Sequence, residues 1–233
     1  GGAAVSARDQ VLGAIRRALA VTGEEPSRRK IVADRLADHP CGVIPARGQL
    51  LPAARLALFQ KRVELVAGTV ARVATAEDVP AAVAAYLRAD GLPPAVRRGA
   101  DPRLGAMPWE REPSLAVAVG ASAGDDLVGV SHAVAAVAET GTLVLLSGPD
   151  NPTTLNFLPD HHLVVVDAAT VAGDLETVLS RLRDTWGQGG GPGGLPRNVH
   201  LITGPSRTAD IEQTLILGAH GPRRLHVILV GEP

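Results

Sequence analysis

Residues 133–146 read AVAAVAETGTLVLL. Two apolar runs, Ala133 to Ala138 and Thr142 to Leu146, are separated only by Glu139-Thr140-Gly141. A short glycine-bearing link between such runs predicts a β-hairpin. The runs are apolar at successive positions rather than at alternate ones. Both faces of the sheet they join must therefore be covered, which points to helices on each side.

The surrounding sequence repeats an α/β rhythm. Upstream, Pro52 to Ala67 and Glu77 to Ala89 have helical spacing, the latter with Glu77 and Asp78 in its first turn. Thr69 to Ala74, Ala95 to Arg98 and Leu115 to Val119 read as strands, and three prolines break the segment from Gly99 to Ser114. Downstream, Leu163 to Val166, Val199 to Thr203 and Leu225 to Val230 read as strands, and Asp174 to Asp184 as a helix. Gly187 to Gly194 (GQGGGPGG) reads as a flexible loop. Asp210 is expected to cap a further helix that Gly221-Pro222 stops. The expectation is α/β: a single three-layer domain over residues 49–233, with a mostly parallel central sheet plus the hairpin. Residues 1–48 form an expected N-terminal helical arm that packs on the core or on a partner. In it, Ser6 to Ala20 is amphipathic through Val11, Leu12, Ile15 and Leu19, and Arg28 to Gly48 has no assignable pattern.

Composition narrows the function classes. The net charge is −1 and aromatics are 2% of 233 residues, which argues against a nucleic-acid partner. No apolar run approaches the roughly 18–20 residues of a membrane span, and the first helix carries Arg8, Asp9, Arg16 and Arg17 where a signal peptide is apolar. The cytoplasm is the expected location. Cys41 is the sole cysteine, so an internal disulfide or a cysteine-ligated cluster is out of reach. Asp160-His161-His162 offers two imidazoles, but neighbours on a strand point to opposite faces, so one buried and one exposed histidine is expected rather than a metal site.

Two segments carry candidate chemistry. At Glu139-Thr140-Gly141-Thr142, a carboxylate beside hydroxyls and free N–H groups suits an acid, base or nucleophile; a tight turn with a solvated Glu139 accounts for the same residues. At Gly204-Pro205-Ser206-Arg207-Thr208-Ala209-Asp210, a glycine loop entering a helix N-terminus would hold a carboxylate or phosphate through Gly204, Ser206, Arg207, Thr208 and Asp210; plain helix capping is the alternative. Neither segment is a P-loop or a dinucleotide-binding fingerprint.

Two longer runs contain these segments: AVAETGTLVLLSGPDNPTTLNFLPDHHLVVV (136–166) and ITGPSRTADIEQTLILGAHGPRRLHVILV (202–230). Together they resemble the LUD domain family, in the short lactate-utilisation protein C (LutC) type. The resemblance implies a fold similar to the NagB/RpiA/CoA-transferase-like superfamily. It also implies a cluster-free subunit that supports oxidation of L-lactate to pyruvate alongside iron–sulfur partner proteins. On that reading no cofactor belongs to this chain, and iron–sulfur clusters sit only on the partners. Thr140, Gly141 and Thr142 join the expected ligand-binding set. Two alternatives stand beside this reading. One is a stand-alone CoA-transferase-like enzyme with Glu139 as its reactive carboxylate and the loop from Gly204 to Asp210 binding an acyl or phosphate group. The other is a non-catalytic scaffold.

Overall fold

The computed structural model describes residues 6–187, 196–209 and 215–232. The expected Asp210 cap and positions 188–194 of the glycine-rich loop lie outside them. The chain divides into two units between Val43 and Ile44.

The first unit holds helices α1 (Ala7–Ala18) and α2 (Pro26–Asp38). Ser6 Oγ caps α1 by accepting the Asp9 N–H at 3.2 Å. Pro26 opens α2, and His39 closes it in the left-handed region at φ 45°. Pattern reading misses α2 because Ile31, Val32 and Leu36 are its only large apolar residues and no glycine marks its stop.

The second unit begins with α3 (Pro52–Leu65), β1 (Thr69–Val73), α4 (Val79–Ala89), β2 (Ala95–Arg98), α5 (Pro102–Gly105) and β3 (Ala116–Val119). Then come β4 (Val128–His132), β5 (Ala135–Val137), β6 (Thr142–Leu146), α6 (Thr154–Phe157), β7 (His161–Asp167), β8 (Val171–Ala172) and α7 (Leu175–Leu182). It closes with β9 (Val199–Ile202), β10 (Arg207–Ala209), β11 (Leu215–Leu217) and β12 (Arg224–Val230). Among the described residues, six strands form an all-parallel sheet in the order β1-β12-β7-β4-β2-β3. A second sheet, β8-β5-β6-β9, contains the hairpin: Ala135 pairs with Val144 and Val137 with Thr142, antiparallel. β4 and β7 lie side by side in the first sheet, and the strands that follow them, β5 and β8, lie side by side in the second.

The layers follow from side-chain alternation. Val164 and Val166 of β7, with Leu225, Val227 and Leu229 of β12, pack against Leu143 and Leu145 of the small sheet and Leu56, Phe59 and Val63 of α3. The opposite face, Leu163, Val165 and Ile228, packs against Val79, Val83 and Leu87 of α4. Val137 and Val144, on the outer face of the small sheet, meet Val178 and Leu182 of α7. The hairpin is thus covered on both faces, as its composition requires, but on the inner side the parallel sheet joins α3 as the cover. Burying each of these large apolar side chains contributes roughly 1.5–3 kcal/mol.

Two expectations change. β4 has no counterpart in the sequence pattern, because Gly129, Ser131 and His132 disguise a five-residue strand that is buried throughout. Of the helix expected from Asp210 to Gly221, the described part begins as a strand: Leu215–Leu217 pairs antiparallel with Arg207–Ala209 as a ribbon. The apolar run Leu215-Ile216-Leu217 joins a partner strand, and cross-strand pairing overrides the capping signal.

Candidate functional site

The pairing of β6 with β9 brings the two sequence segments together. Leu143 lies opposite Ile202, so Thr142 and Thr203 fall side by side at one end of the small sheet. Their hydroxyls are 2.7 Å apart, and Thr140 Oγ1 lies 2.7 Å from Thr142 Oγ1, giving a chain of three hydroxyls. The turn beneath it is built on Gly141 at φ 71°, where an added Cβ would lie 2.7 Å from the Val63 nitrogen. Gly204 at φ 74° approaches α3's exit equally closely: a Cβ there would lie 2.6 Å from the Val66 carbonyl. Only glycine tolerates both the backbone sign and the approach.

Glu139 is not a solvated turn residue. Its side chain is 7% exposed, and Arg47 Nη2 stands 3.4 Å from Oε2, an atom that is buried and has no hydrogen bond. The Glu139 N–H donates to the Gly173 carbonyl at 3.2 Å.

The loop after β9 borders a cavity of about 240 Å³. Ser206 is stitched to the far wall: its N–H donates to the Pro222 carbonyl at 2.8 Å, and its carbonyl accepts the Gly218 N–H at 3.0 Å. Phe157, Leu201 and Pro205 supply apolar wall, and Asn156 and His162 supply polar groups. His162 is buried, and burial pushes its imidazole down to about 3, so it is neutral. Its Nε2 lies 3.0 Å from Ser131 Oγ, which donates to Asn156 Oδ1 at 2.9 Å. Glu139 does not line this cavity among the described residues.

His162 and Leu225 are the second residues of β7 and β12, so the cavity opens at the amino ends of the parallel strands. At their carboxyl ends, where open α/β sheets commonly bind ligands, stands a charged group. Asp101 is buried and caps α5, accepting the Arg103 N–H at 2.9 Å, Arg103 Nη2 at 2.7 Å and Asn151 Nδ2 at 3.1 Å. Burial works to raise its carboxyl, but the bonds from Arg103, that residue's charge and Asn151 outweigh it and hold it at about 2. His132, buried at the end of β4, sets Nε2 3.9 Å from Asp167 Oδ2. Burial first, then the Arg103 charge, lower its imidazole against the pull of Ala133, Asp167 and Asp101. Arg98 lies 5.8 Å over the Trp109 ring, with a buried Nε that has no partner.

Of the residues expected to bind, Gly204 and Ser206 line the cavity, and Thr142 reaches its rim through Thr203. Arg207 and Thr208 belong to the ribbon strand β10. They are strand residues, where the sequence placed them in a loop, and neither is among the described residues that line the cavity. Sequence reading missed His162, Asn156 and Ser131 as a connected group, since 25 and 31 residues separate the bonded pairs. His161 and His162 fall on opposite faces of the strand as expected, and His162 is buried beside the cavity, but His161 is half-buried rather than exposed, its Nδ1 2.8 Å from Tyr86 Oη. Among the described residues no group of three or more His, Cys, Asp or Glu is placed to hold a metal. No described helix is long and apolar enough to cross a membrane.

Residues 56–230 match the model of the LUD domain family. An uncharacterized protein of Neisseria meningitidis, NMB1437, is 39% identical over 102 residues, which is 44% of this chain and 41% of that protein. Lactate utilization protein C of Halalkalibacterium halodurans is 34% identical over 103 residues, 44% of each chain. The protein of the same name from Geobacillus kaustophilus is 33% identical over 103 residues, covering 44% of this chain and 42% of that one. The match thus spans less than half the length of these curated relatives. In fold, the chain is similar to a crystal structure of a DUF162 family protein from Deinococcus radiodurans. The TM-score is 0.59 at 22% identity, over 78% of this chain and 99% of that one.

Proposed function

Because the chain belongs to the LUD domain family, which its residues 56–230 match, we propose that it serves as a cluster-free, ligand-holding subunit of a lactate-utilisation system. The name lactate utilization protein C, carried by relatives at 33–34% identity, supports the pathway. The observation that supports ligand holding is geometric: the Thr142–Thr203 hydroxyl contact fuses the two family segments into one rim beside a cavity of about 240 Å³. That volume falls below the ~300–1,000 Å³ of sites for drug-sized ligands. It suits a compact metabolite and not an extended acyl-CoA. Glu139, held beneath Arg47 and away from the cavity lining, lacks the juxtaposition a CoA-transferase reaction needs. With one cysteine, the chain leaves electron transfer to iron–sulfur partner proteins.

Growth tests the pathway. A strain lacking the gene, and any redundant lactate oxidase, fails to grow on L-lactate as sole carbon source and recovers with the full-length gene. Unimpaired growth of that strain overturns the reading. Affinity purification from lactate-grown cells should recover cluster-bearing proteins with the characteristic visible absorbance.

A further inference from the structure

The two edges of the parallel sheet are finished differently. At one edge, β1 carries Thr69 and the exposed Arg72, and a charge on an edge strand opposes pairing with another chain. At the other edge, β3 and its approach read Leu115-Ala116-Val117-Ala118-Val119, with no charge and no proline. Its register against β2 runs unbroken, so no bulge turns it away. Among the described residues β3 pairs with β2 alone, and Ala116, Ala118 and Val119 are exposed. An edge of this kind is a template for another strand.

The free backbone groups can be named. The Ala116 and Gly120 N–H groups donate inward, to the Pro94 and Arg98 carbonyls at 2.8 and 2.9 Å. Peptide direction alternates along a strand, so the N–H and C=O groups of Val117 and Val119 point away from β2. The Leu115 N–H donates to the Glu112 carbonyl at 2.9 Å, which leaves the Leu115 carbonyl for the free edge.

We infer that β3 pairs antiparallel with β3 of a second copy of this chain, about a twofold axis at Val117, joining the two parallel sheets edge to edge. Val117 exchanges both of its bonds with Val117 of the second copy, and each Val119 N–H donates to the facing Leu115 carbonyl. The contact uses the same patch on both copies, so it closes at a dimer. The strand is its own complement, because every cross-strand pair is apolar. On the face toward α4, Val117 meets Val117, and Leu115 meets Val119, which is 51% exposed in the single chain. Apolar and β-branched pairs of this kind stabilise a sheet. On the other face Ala116 meets Ala118. There a trough of about 360 Å³ runs over Ala95, Arg97, Ala116 and Ala118, and the small alanine side chains let a second strand lie flush. Arg97 Nε lies 2.6 Å from Asp126 Oδ2, which also accepts Ser122 Oγ at 2.7 Å. The remaining charge of the trough, Asp125, belongs to the β3–β4 loop and not to the strand. The strand itself therefore offers a partner no charge to read, and a copy of β3 matches it in length, polarity and hydrogen-bond register.

Analytical ultracentrifugation of the full chain tests the inference, and a dimer in exchange with monomer is expected. Val119→Lys places a charge where the single chain is exposed, and should weaken dimerisation roughly tenfold or more. Leu51→Lys, at a residue 81% exposed on the approach to α3, should leave the dimer intact. Cysteine pairing reads the register, in a Cys41→Ser background that removes the exposed native thiol. Ala116 and the facing Ala118 form a non-hydrogen-bonded pair with Cα atoms about 4.5 Å apart, inside disulfide range. Ala116→Cys/Ala118→Cys should therefore give a covalent dimer on oxidation with copper–phenanthroline, and Ala118→Cys alone should not. A monomeric wild-type chain overturns the inference. So does a dimer that Val119→Lys leaves intact, that Leu51→Lys dissolves equally, or that Ala118→Cys alone cross-links as fast. If Val119→Lys fails to fold, the cysteine register decides.

Discussion

The two ends of the parallel sheet are built from opposite chemistry. At the carboxyl ends, Asp101, Arg103, His132 and Asp167 form a charged group, and burial is offset by pairing and by hydrogen bonds to the backbone and Asn151. At the amino ends, Thr203, Gly204 and the neutral His162 line a cavity whose described lining holds no Arg, Lys, Asp or Glu, and the Thr140–Thr142–Thr203 hydroxyl chain and the Gly141 turn lie beside its rim. Stability at the first end depends on ion pairs that fail when one partner is removed. At the second it depends on close backbone approach and on keeping a histidine unprotonated. At the end that open α/β sheets usually reserve for ligands, Asp101 and Arg103 pair beside β2 and β4, and a pocket of about 280 Å³ lies beyond β1 and β12, lined by Arg72, Val73, Ala74, Gly231 and Glu232. The cavity beside Gly204 lies at the other end.

Removing a partner should break the charged end most severely. Asp101→Ala loses the α5 cap and its charge-assisted bonds, and should cost about 2–4 kcal/mol in urea unfolding at pH 7. A loss under 1 kcal/mol would mean the ion pair contributes little. Gly141→Ala strikes the neutral end. A left-handed alanine, with its Cβ 2.7 Å from the Val63 nitrogen, should cost about 2–3 kcal/mol. Gly91→Ala has a similar φ of 65° with nothing within 4 Å, and separates the conformational part from the clash.

Acid sharpens the contrast between the ends. His162 titrates at about 3 in the folded chain and near 6.5 when unfolded, so the unfolded state binds the extra proton between those values. Its contribution is intact above pH 6.5 and declines by about 1.4 kcal/mol per pH unit below it. His226, lowered to about 4 mainly by burial, adds to the same slope. Asp101 acts later: its stabilisation is whole above pH 3.8 and disappears as pH falls toward 2. Urea midpoints from pH 7.5 to 5 should fall, and His162→Gln should reduce that slope by about 1.4 kcal/mol per pH unit. An unchanged slope would mean the imidazole is already charged in the fold. Smallest of all, Thr142→Val interrupts the hydroxyl chain and should cost about 1 kcal/mol.

The hairpin was legible because its evidence is local: two apolar runs and a turn whose glycine must take a positive φ. The flanking strands and α3, α4 and α7 are equally local in their periodicity. β4 was not legible, because its core role depends on neighbours that bury a glycine, a serine and a histidine. The ribbon of β10 and β11 misled in the other direction, since Ser206, Thr208 and Asp210 carry a capping signature that Leu215–Leu217 overrules by pairing. At the candidate site, Gly204, Ser206 and Thr142 could be named from their own segments. Their relation to His162 and Asn156 could not.

The amino-acid sequence by itself determined the α/β class, the covered hairpin and the two segments that mark the LUD domain family. These rest on composition and short-range periodicity, which need no partner in space. Only the tertiary structure decided that Glu139 lies beneath Arg47, that Thr142 and Thr203 touch, and that the cavity opens at the amino ends of the strands. Each of those is a contact between residues at least 61 apart in sequence, or a consequence of one. Long-range strand register sets such contacts, and no local pattern encodes them.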